Sequence, residues 1–125
     1  MAKDSGRKVL VVEDDIDLCD IVAAELASEG YDVAQEFSGN RALAWLGQHA
    51  ADIVVTDIKM PDGTGIDLLK SLTAMGSRAP LVILMTGYSG EGEAELIAQG
   101  ARAVVRKPVD VAKLSVLIEQ LLQSK

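Results

Sequence analysis

Short apolar runs of strand length alternate with longer segments of helical period along this chain. Four of these runs are continuous rather than alternating in polarity, and they cover residues 9–12, 53–55, 81–85 and 104–105. A continuous apolar strand is buried on both faces, as in a parallel sheet that helices cover on either side. The pattern therefore predicts an α/β fold made of repeated strand–helix units.

The sequence predicts five strands and five helices that alternate along the chain. We expect strands over residues 8–12, 32–36, 52–56, 81–85 and 103–105, and helices over residues 15–29, 40–48, 66–75, 91–99 and 111–123. Because crossovers between parallel strands are right-handed, few topologies remain, and the flavodoxin-like order 2-1-3-4-5 fits five such units. The predicted architecture is a (βα)5 domain over residues 8–125, with helices on both faces of the sheet and an N-terminal tail over residues 1–7.

Apolar stripes on two predicted helices indicate which helix faces pack on the sheet. The stripe on the first helix is Leu18, Ile21, Val22 and Leu26, and the stripe on the last helix is Leu114, Leu117, Ile118 and Leu121. We expect Ser38 to cap the second helix and Asp15 to serve the first turn of the first helix. Cys19 is predicted to be a small packing residue, and Trp45 a partly buried one.

Composition and charge narrow the class of protein. A chain of 125 residues with 49% hydrophobic and 25% charged residues is typical of one globular domain. The formal net charge of -7 argues against direct contact with nucleic acid, which needs clustered Lys and Arg. The single cysteine excludes an intrachain disulfide and favours a reducing compartment. The apolar runs are far shorter than a membrane span, and the first residues lack a signal peptide's apolar region, so we expect a cytoplasmic location.

Charged and hydroxyl side chains stand at the carboxyl ends of the predicted strands. They are Glu13, Asp14 and Asp15 after the first strand, Asp57 after the third, Thr86 after the fourth and Lys107 after the fifth. In an open parallel sheet these ends meet at one crevice, which is the usual ligand site of such folds. Because crowded carboxylates repel one another, the arrangement makes chemical sense only with a bound cation.

Asp57 has the chemistry of a phosphoryl acceptor. A carboxylate can attack phosphorus to form an aspartyl phosphate, and the protein then mainly has to position the groups and neutralise charge. Mg²⁺, or Mn²⁺ in its place, suits such a site because it binds carboxylate and phosphate oxygens. We expect Asp14 and Asp57 to bind the metal directly and Glu13 to reach it through water. Lys107 would bind a phosphoryl oxygen as a mobile charge, and Thr86 would donate a hydrogen bond to another oxygen once its loop closes.

Each of these residues has an ordinary structural explanation when it is taken alone. A single acid at a strand end, such as Asp57, is most often a helix cap or a turn former. An isolated Lys107 would be a solvated charge, and an isolated Thr86 a structural hydroxyl. Three acids after one strand exceed what one cap needs, so the joint presence of these groups favours the metal site. The loop over residues 87–92 joins a strand to a helix but matches neither phosphate-binding fingerprint.

Four segments of the sequence together resemble the receiver domain of two-component response regulators. They are residues 9–15 (VLVVEDD), 57–63 (DIKMPDG), 85–87 (MTG) and 106–108 (RKP). Any one segment is weakly informative, but all four stand in the family's order and spacing. The resemblance covers the chain from about Lys8 to its end.

The resemblance implies a phosphorylation-dependent switch. Asp57 would receive a phosphoryl group from a sensor histidine kinase, a histidine phosphotransfer protein or a small phosphodonor, and would lose it by slow self-catalysed hydrolysis. The resemblance also implies the backbone carbonyl of Lys59 as a further metal ligand, and the side chains of Lys59 and Tyr88 as groups that tune hydrolysis. The bond between Lys107 and Pro108 would be cis. Such a domain catalyses its own phosphorylation and dephosphorylation but turns over no external substrate.

One position departs from the family's pattern. Receivers commonly have an aromatic switch residue three positions before the active-site lysine, and Val104 stands there in this chain. A rotating Tyr or Phe is thereby excluded, while the Thr86 half of the switch remains. The route of a signal to the face formed by the fourth helix, fifth strand and fifth helix is therefore open. Phosphorylation-driven homodimerisation through that face is one outcome that the sequence leaves open.

Other functions of this fold class fit the residues less well. A flavodoxin-type FMN binder would need a hydroxyl- and glycine-rich loop after the first strand, where three acids stand. A haloacid-type phosphatase would need a second Asp two residues after Asp57, where Lys59 stands. The serious alternative, motivated by Val104, is a receiver-like module that binds proteins independently of phosphorylation. The chain is interpreted either as a stand-alone regulator of a downstream protein or as the receiver part of a longer regulator or hybrid kinase with a fused output domain.

Overall fold

A parallel sheet of five strands forms the centre of the protein, in a computed structural model that describes residues 7–87 and 92–123. The strands are β1 (Lys8–Val12), β2 (Asp32–Glu36), β3 (Ile53–Asp57), β4 (Leu81–Thr86) and β5 (Ala103–Arg106). They lie in the order β2-β1-β3-β4-β5, and every neighbouring pair is parallel. The strand order predicted from the sequence is confirmed.

Helices cover both faces of this sheet. They are α1 (Ile16–Ser28), α2 (Gly39–Leu46), α3 (Gly65–Thr73), α4 (Glu93–Ala98) and α5 (Val111–Gln123), with a short 3-10 turn at Gly76–Arg78. α1 and α5 pack on one face, against Val9 and Val11 of β1, while α2, α3 and α4 pack on the other, against Leu10 and Val12. This division confirms the predicted three-layer architecture. Within the described ranges, no helix is both long and apolar enough to cross a membrane.

The buried face of α1 differs from the predicted stripe. Ile21, which was placed on that stripe, is 60% exposed, and the residues that α1 buries are Cys19, Val22, Ala23 and Leu26. Cys19 and Ala23 are small, so the helix can approach the sheet closely through them, and Ile21 is then turned toward solvent. The prediction for Ile21 was wrong because helical spacing does not distinguish the stripe that contains Ile21 from the neighbouring stripe with the small residues, which is the one that packs on the sheet.

The last helix matches its predicted stripe more closely. Leu114 and Ile118 are buried, and Leu117 and Leu121 are half-buried against the same core. Leu122, which the stripe did not include, is also buried. α5 therefore turns a wider apolar face to the sheet than the sequence pattern indicated.

The helix caps form where the sequence placed them. The Asp15 carboxylate accepts a hydrogen bond of 3.2 Å from the backbone N–H of Leu18, and the Ser38 hydroxyl accepts one of 3.1 Å from Arg41. Each cap satisfies one of the N–H groups that the first helical turn leaves without a partner. Because both caps stand just past a strand end, they fix where α1 and α2 leave the carboxyl edge of the sheet.

The register of the strands aligns their carboxyl ends. Val12 lies opposite Thr56 on β3, and Asp57 lies opposite Met85 on β4. Asp57 and Thr86 are the last residues of β3 and β4, whereas the sequence pattern predicted each of them one position after its strand. The side chains at the carboxyl ends of β1, β3, β4 and β5 are therefore held at one edge by the sheet itself.

Candidate functional site

Three carboxylates meet at the carboxyl edge of the sheet. Oxygen atoms of Glu13, Asp14 and Asp57 all lie within 4.8 Å of one another. Glu13 is 1% exposed and Asp57 is 7% exposed, whereas Asp14 is open to solvent. The structure thus brings together the three acids that the sequence predicted as metal ligands.

Lys107 places its ammonium between two of these acids. Its Nζ lies 2.7 Å from Oε1 of Glu13 and 3.3 Å from Oδ1 of Asp57. The backbone N–H of Lys107 also donates a hydrogen bond of 2.8 Å to the carbonyl of Thr86, and the bond between Lys107 and Pro108 is cis. The lysine therefore contacts β3, β4 and the residue that follows β1, through its ammonium and its main chain.

Backbone N–H groups hold the two buried carboxylates in place. The N–H of Ile58 donates to Oδ1 of Asp57 at 2.9 Å, and the N–H of Asp15 donates to Oε2 of Glu13 at 3.0 Å. The hydroxyl of Thr56 donates to the main-chain carbonyl of Asp57 at 3.0 Å. Hydrogen bonds of this kind lower the free energy of a buried charge, so both acids are oriented before any ligand arrives.

Burial and charge act in opposite directions on the titration of the site. Burial raises the pKa of Glu13 and of Asp57, against the hydrogen bonds and the attraction of Lys107 that favour their charged forms. Burial also opposes the charge of Lys107, but its hydrogen bond to Glu13 and its attraction to Asp57 outweigh this, so the pKa of Lys107 is raised. Three carboxylates and one ammonium leave an excess negative charge that a divalent cation would compensate.

The donor set of the acidic cluster fits Mg²⁺ or a similar hard cation. Glu13, Asp14 and Asp57 offer only carboxylate oxygens, which are the ligands that Mg²⁺ prefers. The exposure of Asp14 leaves room for the water molecules that Mg²⁺ usually retains. The three carboxylates are therefore compatible with this ion.

A small cavity opens above the Asp57 carboxylate. Its volume is about 180 Å³, and it is lined by Asp57, Ile58, Lys59, Thr86, Gly87 and Lys107. Pockets for drug-sized ligands and cofactors are usually about 300–1,000 Å³, so this space suits a phosphoryl group with water rather than a flavin. The cavity brings Thr86 and Lys59 to the same opening as Asp57 and Lys107.

The predicted switch position, Val104, lies apart from the cavity, whereas the predicted tuning residue Lys59 lies at its opening. Val104 is half-buried on β5 and lies opposite Leu84, away from the residues that line the cavity. Lys59 is exposed at the cavity opening. Tyr88, the second predicted hydrolysis-tuning residue, lies outside the described residues.

Gly65 contributes to the site, although the sequence reasoning did not select it. Its backbone N–H donates to the carbonyl of Ile58 at 2.9 Å, and a Cβ at this position would overlap the main-chain carbonyl of Asp57. The start of α3 therefore packs directly against the backbone of Asp57. A glycine at the point where the loop after β3 enters a helix was the available signal for this close approach.

The sequence of this chain matches that of known signalling proteins. The family described as the response regulator receiver domain matches residues 9–119. The transcriptional regulatory protein ZraR of Salmonella typhimurium is 35% identical over 114 residues, which are 91% of this chain and 26% of ZraR. The regulatory protein AtoC of Escherichia coli is 32% identical over 118 residues, which are 94% of this chain and 25% of AtoC. The chain thus spans about a quarter of the length of these two relatives.

Solved structures show the same likeness. The receiver domain of the Francisella response regulator 1452 has a TM-score of 0.87 and 28% identity, over 94% of this chain and 98% of that one. The receiver domain of NtrX from Brucella abortus has a TM-score of 0.85 and 28% identity, over 94% of this chain and 99% of that one. The chain therefore belongs to the response regulator receiver domain family, whose standard function in two-component systems is that of a phosphorylation-dependent switch.

Proposed function

We propose that Asp57 is the phosphoacceptor of this domain and that its phosphorylation shifts the domain between an inactive and an active conformation. The observation that carries the proposal is the environment of the Asp57 carboxylate. It lies at a cavity of about 180 Å³, near two further acids and 3.3 Å from the ammonium of Lys107. A buried carboxylate in this setting has a nucleophilic oxygen and a nearby positive charge for the transferred group.

The transfer step exchanges one bond to phosphorus for another. A carboxylate oxygen of Asp57 attacks the phosphorus of a phosphohistidine, a P–O bond forms, and the P–N bond breaks. The imidazole leaves with the electron pair and regains a proton from solvent. The product is an aspartyl phosphate, and the attacking oxygen is already aimed by the N–H bond from Ile58 to Oδ1.

The acidic cluster is proposed to hold Mg²⁺ or Mn²⁺. Asp14 and Asp57 would be direct ligands, Glu13 would bind through water, and the backbone carbonyl of Lys59 would complete the protein's share. When bound, the ion neutralises charge on the phosphoryl oxygens and on the carboxylates. The geometric support is the convergence of the three carboxylates within 4.8 Å.

Lys107 and Thr86 are proposed to bind oxygen atoms of the phosphoryl group and so to couple phosphorylation to the conformation of the domain. In the structure the ammonium of Lys107 is bound between Glu13 and Asp57, so it is close enough to reach a phosphoryl oxygen on Asp57 with a small movement. The hydroxyl of Thr86, at the same cavity, would donate to a second oxygen. These two contacts would favour the active conformation only when the phosphoryl group is present.

Loss of the phosphoryl group is proposed to occur by slow self-catalysed hydrolysis. A water oxygen attacks phosphorus, the bond to the Asp57 oxygen breaks, and the carboxylate and inorganic phosphate are the products. Lys59 stands at the opening through which this water would enter, which supports its proposed tuning role. Tyr88 is proposed for the same role from the family pattern alone.

The partners of the domain follow from this chemistry. Receiver domains accept phosphoryl groups from histidine kinases, and we propose a sensor histidine kinase or a histidine phosphotransfer protein as the donor here. Ile16 and Ile21 are 58% and 60% exposed on α1, which begins beside the acidic cluster, and they offer an apolar contact to such a donor. The output would be a fused domain or a separate protein, with a phosphorylation-dependent homodimer as a further outcome.

We propose a cytoplasmic domain over residues 8–125 that makes no direct contact with nucleic acid, in keeping with the net charge of -7. Residues 1–7 are proposed to be a tail. These statements rest on composition and on the family pattern.

A phosphoryl mass shift tests the proposed role of Asp57. The wild type, Asp57→Asn and the charge-matched control Asp17→Asn are incubated with Mg²⁺ and acetyl phosphate, or with a phosphorylated histidine phosphotransfer protein. We expect the mass shift in the wild type and in Asp17→Asn, and its loss in Asp57→Asn. Absence of the shift in the wild type with both donors, or its persistence in Asp57→Asn, would overturn the proposal.

A phosphorylation-independent interaction module is the second candidate function, and the valine at position 104 favours it. Such a module would keep the same conformation and assembly state with and without a phosphoryl mimic. Light scattering and amide NMR spectra in the presence of Mg²⁺ and beryllofluoride separate the two functions. Spectra that do not change for residues around Asp57 and Thr86 would favour the module over the switch.

A further inference from the structure

The loop after β3 is bonded to the start of α2 by four hydrogen bonds. The carboxylate of Asp62 accepts from the Ser38 hydroxyl and from the Asn40 side-chain amide, each at 2.9 Å. The main-chain carbonyls of Asp62 and Gly63 accept from the N–H groups of Asn40 and Gly39, each at 3.0 Å. We call this set of contacts the Asp62 bridge.

The backbone of the bridge is held in a conformation that needs support. Asp62 has a φ of 60°, in the left-handed region that non-glycine residues occupy rarely and at a cost. A Cβ added to Gly39 would lie only 2.5 Å from the carbonyl oxygen of Gly63. The two segments are therefore as close as their main chains allow, and the four hydrogen bonds offset the strain at Asp62.

The Asp62 bridge also stabilises the N-terminus of α2. The N–H groups of Gly39 and Asn40 belong to the first helical turn, which has no partners within the helix for them. The Asp62 carboxylate lies at the positive end of the helix. Its hydrogen bonds from Asn40 and Ser38 lower the pKa of Asp62, so it remains ionised at neutral pH.

The bridge connects the two sides of the acidic cluster. On one side, Asp62 stands three residues after Lys59, whose carbonyl is proposed to bind the metal. On the other side, Ser38 stands two residues after Glu36, and the carbonyl of Glu36 accepts a hydrogen bond of 3.1 Å from the N–H of Glu13. A short path of covalent and hydrogen bonds thus joins the Lys59 segment to the acids at the end of β1.

We propose that Asp62 is a positioning residue that sets the distance between the Lys59 carbonyl and the β1 acids, and thereby the affinity of the site for Mg²⁺. This inference rests on the proposed metal-dependent function of the site. Removal of the carboxylate breaks the two side-chain hydrogen bonds and leaves the two main-chain ones, so the loop and the Lys59 carbonyl are held less tightly. Groups that orient metal ligands in this way commonly change metal affinity about 10–100-fold when they are removed.

Asp62→Gly is the informative variant, because glycine adopts a positive φ without strain and removes only the carboxylate contacts. Isothermal titration with Mg²⁺ should give a Kd about tenfold higher than that of the wild type. The rise in unfolding temperature on addition of Mg²⁺ should shrink correspondingly. Asp67→Asn removes the same charge from the first turn of α3 and should change the Kd less than about twofold, since charges on an exposed surface are screened.

Asn40→Ala provides a second route to the same contact. It removes one donor to Asp62 and leaves the strained φ unchanged, and it should raise the Kd for Mg²⁺ in the same direction. Combined with Asp62→Gly it should add little, because both changes break one interaction. Thermal unfolding without Mg²⁺ checks that each variant is folded.

The outcomes separate this inference from the proposed function. If the wild type binds Mg²⁺ and is phosphorylated, but Asp62→Gly and Asn40→Ala bind Mg²⁺ within about twofold of it, the positioning role is refuted and the phosphoacceptor remains. A similar loss in Asp67→Asn would assign the effect to charge alone and would also refute it. A wild type that neither binds Mg²⁺ nor accepts a phosphoryl group would remove both.

Discussion

Replacement of Lys107 by Met tests whether the lysine stabilises the site through its charge. Methionine keeps most of the length and apolar character of the side chain and removes the ammonium that lies 2.7 Å from Glu13 and 3.3 Å from Asp57. Both carboxylates are buried, so without a cation they face each other and Asp14 in a medium that screens poorly. We therefore expect Lys107→Met to lower the free energy of unfolding in Mg²⁺-free buffer.

Protonation of one carboxyl sets an upper limit on this loss. A glutamate in the unfolded chain has an ordinary pKa of 4.5. Keeping Glu13 protonated above that pH costs about 1.4 kcal/mol for each pH unit. The limit is therefore about 4 kcal/mol near pH 7.5 and about 1.4 kcal/mol near pH 5.5. Since burial already raises the pKa of Glu13 in the wild type, we expect a loss of about 2–4 kcal/mol near pH 7.5 and about 1 kcal/mol near pH 5.5.

The sign of the pH dependence follows from the direction of the pKa shift. A carboxyl whose pKa is raised by folding contributes stability below its unfolded pKa, and this stability is lost as the pH rises through the folded pKa. Lys107→Met raises the pKa of Glu13 and Asp57 further, because it removes the attraction that favours their charged forms. The deficit of the variant relative to the wild type must therefore grow with pH.

Urea unfolding at the two pH values measures the deficit, with Lys107→Arg as a control that keeps the charge. The control should lose less than about 1 kcal/mol, and saturating Mg²⁺ should reduce the deficit of Lys107→Met because the ion supplies the missing positive charge. A deficit of equal size at both pH values would refute the electrostatic argument. It would assign the role of Lys107 to the packing of its aliphatic stem.

Three further predictions concern packing, partner contact and reactivity. Gly39→Ala should lower the free energy of unfolding by about 1–3 kcal/mol, because its Cβ would lie 2.5 Å from a backbone oxygen. The control Gly47→Ala, whose Cβ meets its nearest atom at 3.3 Å, should change the free energy of unfolding by less than about 0.5 kcal/mol. Equal urea midpoints for the two variants would contradict this. Ile21→Ser should slow phosphoryl transfer from a cognate kinase about tenfold and leave the rate with acetyl phosphate unchanged. The side chain is 60% exposed, and its proposed contact is with the protein donor only. An equal loss of rate with both donors would reject a docking role. Burial raises the pKa of the Cys19 thiol, so native protein near pH 8 should react with a thiol reagent more than about tenfold slower than protein unfolded in urea; equal rates would show that Cys19 is accessible.

The sequence was sufficient to predict the sheet and the convergence of Glu13, Asp14 and Asp57 at its carboxyl edge. Continuous apolar strands specify burial on both faces, and this property leaves few arrangements of five parallel strands. Once the order is known, the carboxyl ends of β1 and β3 must be neighbours, so Glu13 and Asp57 must approach each other. The observed pairing of Val12 with Thr56, one residue before each acid, is the physical basis of that success.

Contacts between segments that are distant in sequence could not be predicted in this way. The hydrogen bond from Ser38 to Asp62 spans 24 positions and depends on a turn with a positive φ, for which the local sequence gives only a weak preference. The orientation of α1 was also unpredictable from periodicity, since adjacent stripes that contain Cys19 or Ile21 are both apolar. In both cases the decisive term is the fit of two surfaces, which a one-dimensional pattern does not contain.

The contact of Trp45 with Lys8, which is distant in sequence, could not be predicted from the sequence either, and it decides whether the fluorescence of Trp45 can report phosphorylation. It is half-buried, as predicted, but its ring stacks on His49 at 4.5 Å and lies 5.8 Å from the ammonium of Lys8. Lys8 begins β1, so this cluster stands at the amino edge of the sheet, opposite Asp57. The fluorescence of Trp45 therefore reports on the far side of the domain, and direct measurement of phosphorylation is the better assay.

Val104 narrows the ways in which the site can signal. It is half-buried opposite Leu84, and a valine has no ring to exchange between a buried and an exposed position. Thr86 is linked to the segment after β5 through the main chain, because its carbonyl accepts a hydrogen bond of 2.8 Å from the N–H of Lys107. A displacement of Thr86 toward a phosphoryl oxygen acts directly on this bond. We therefore expect the end of β5, and the start of α5 that follows it, to respond before the rest of the domain.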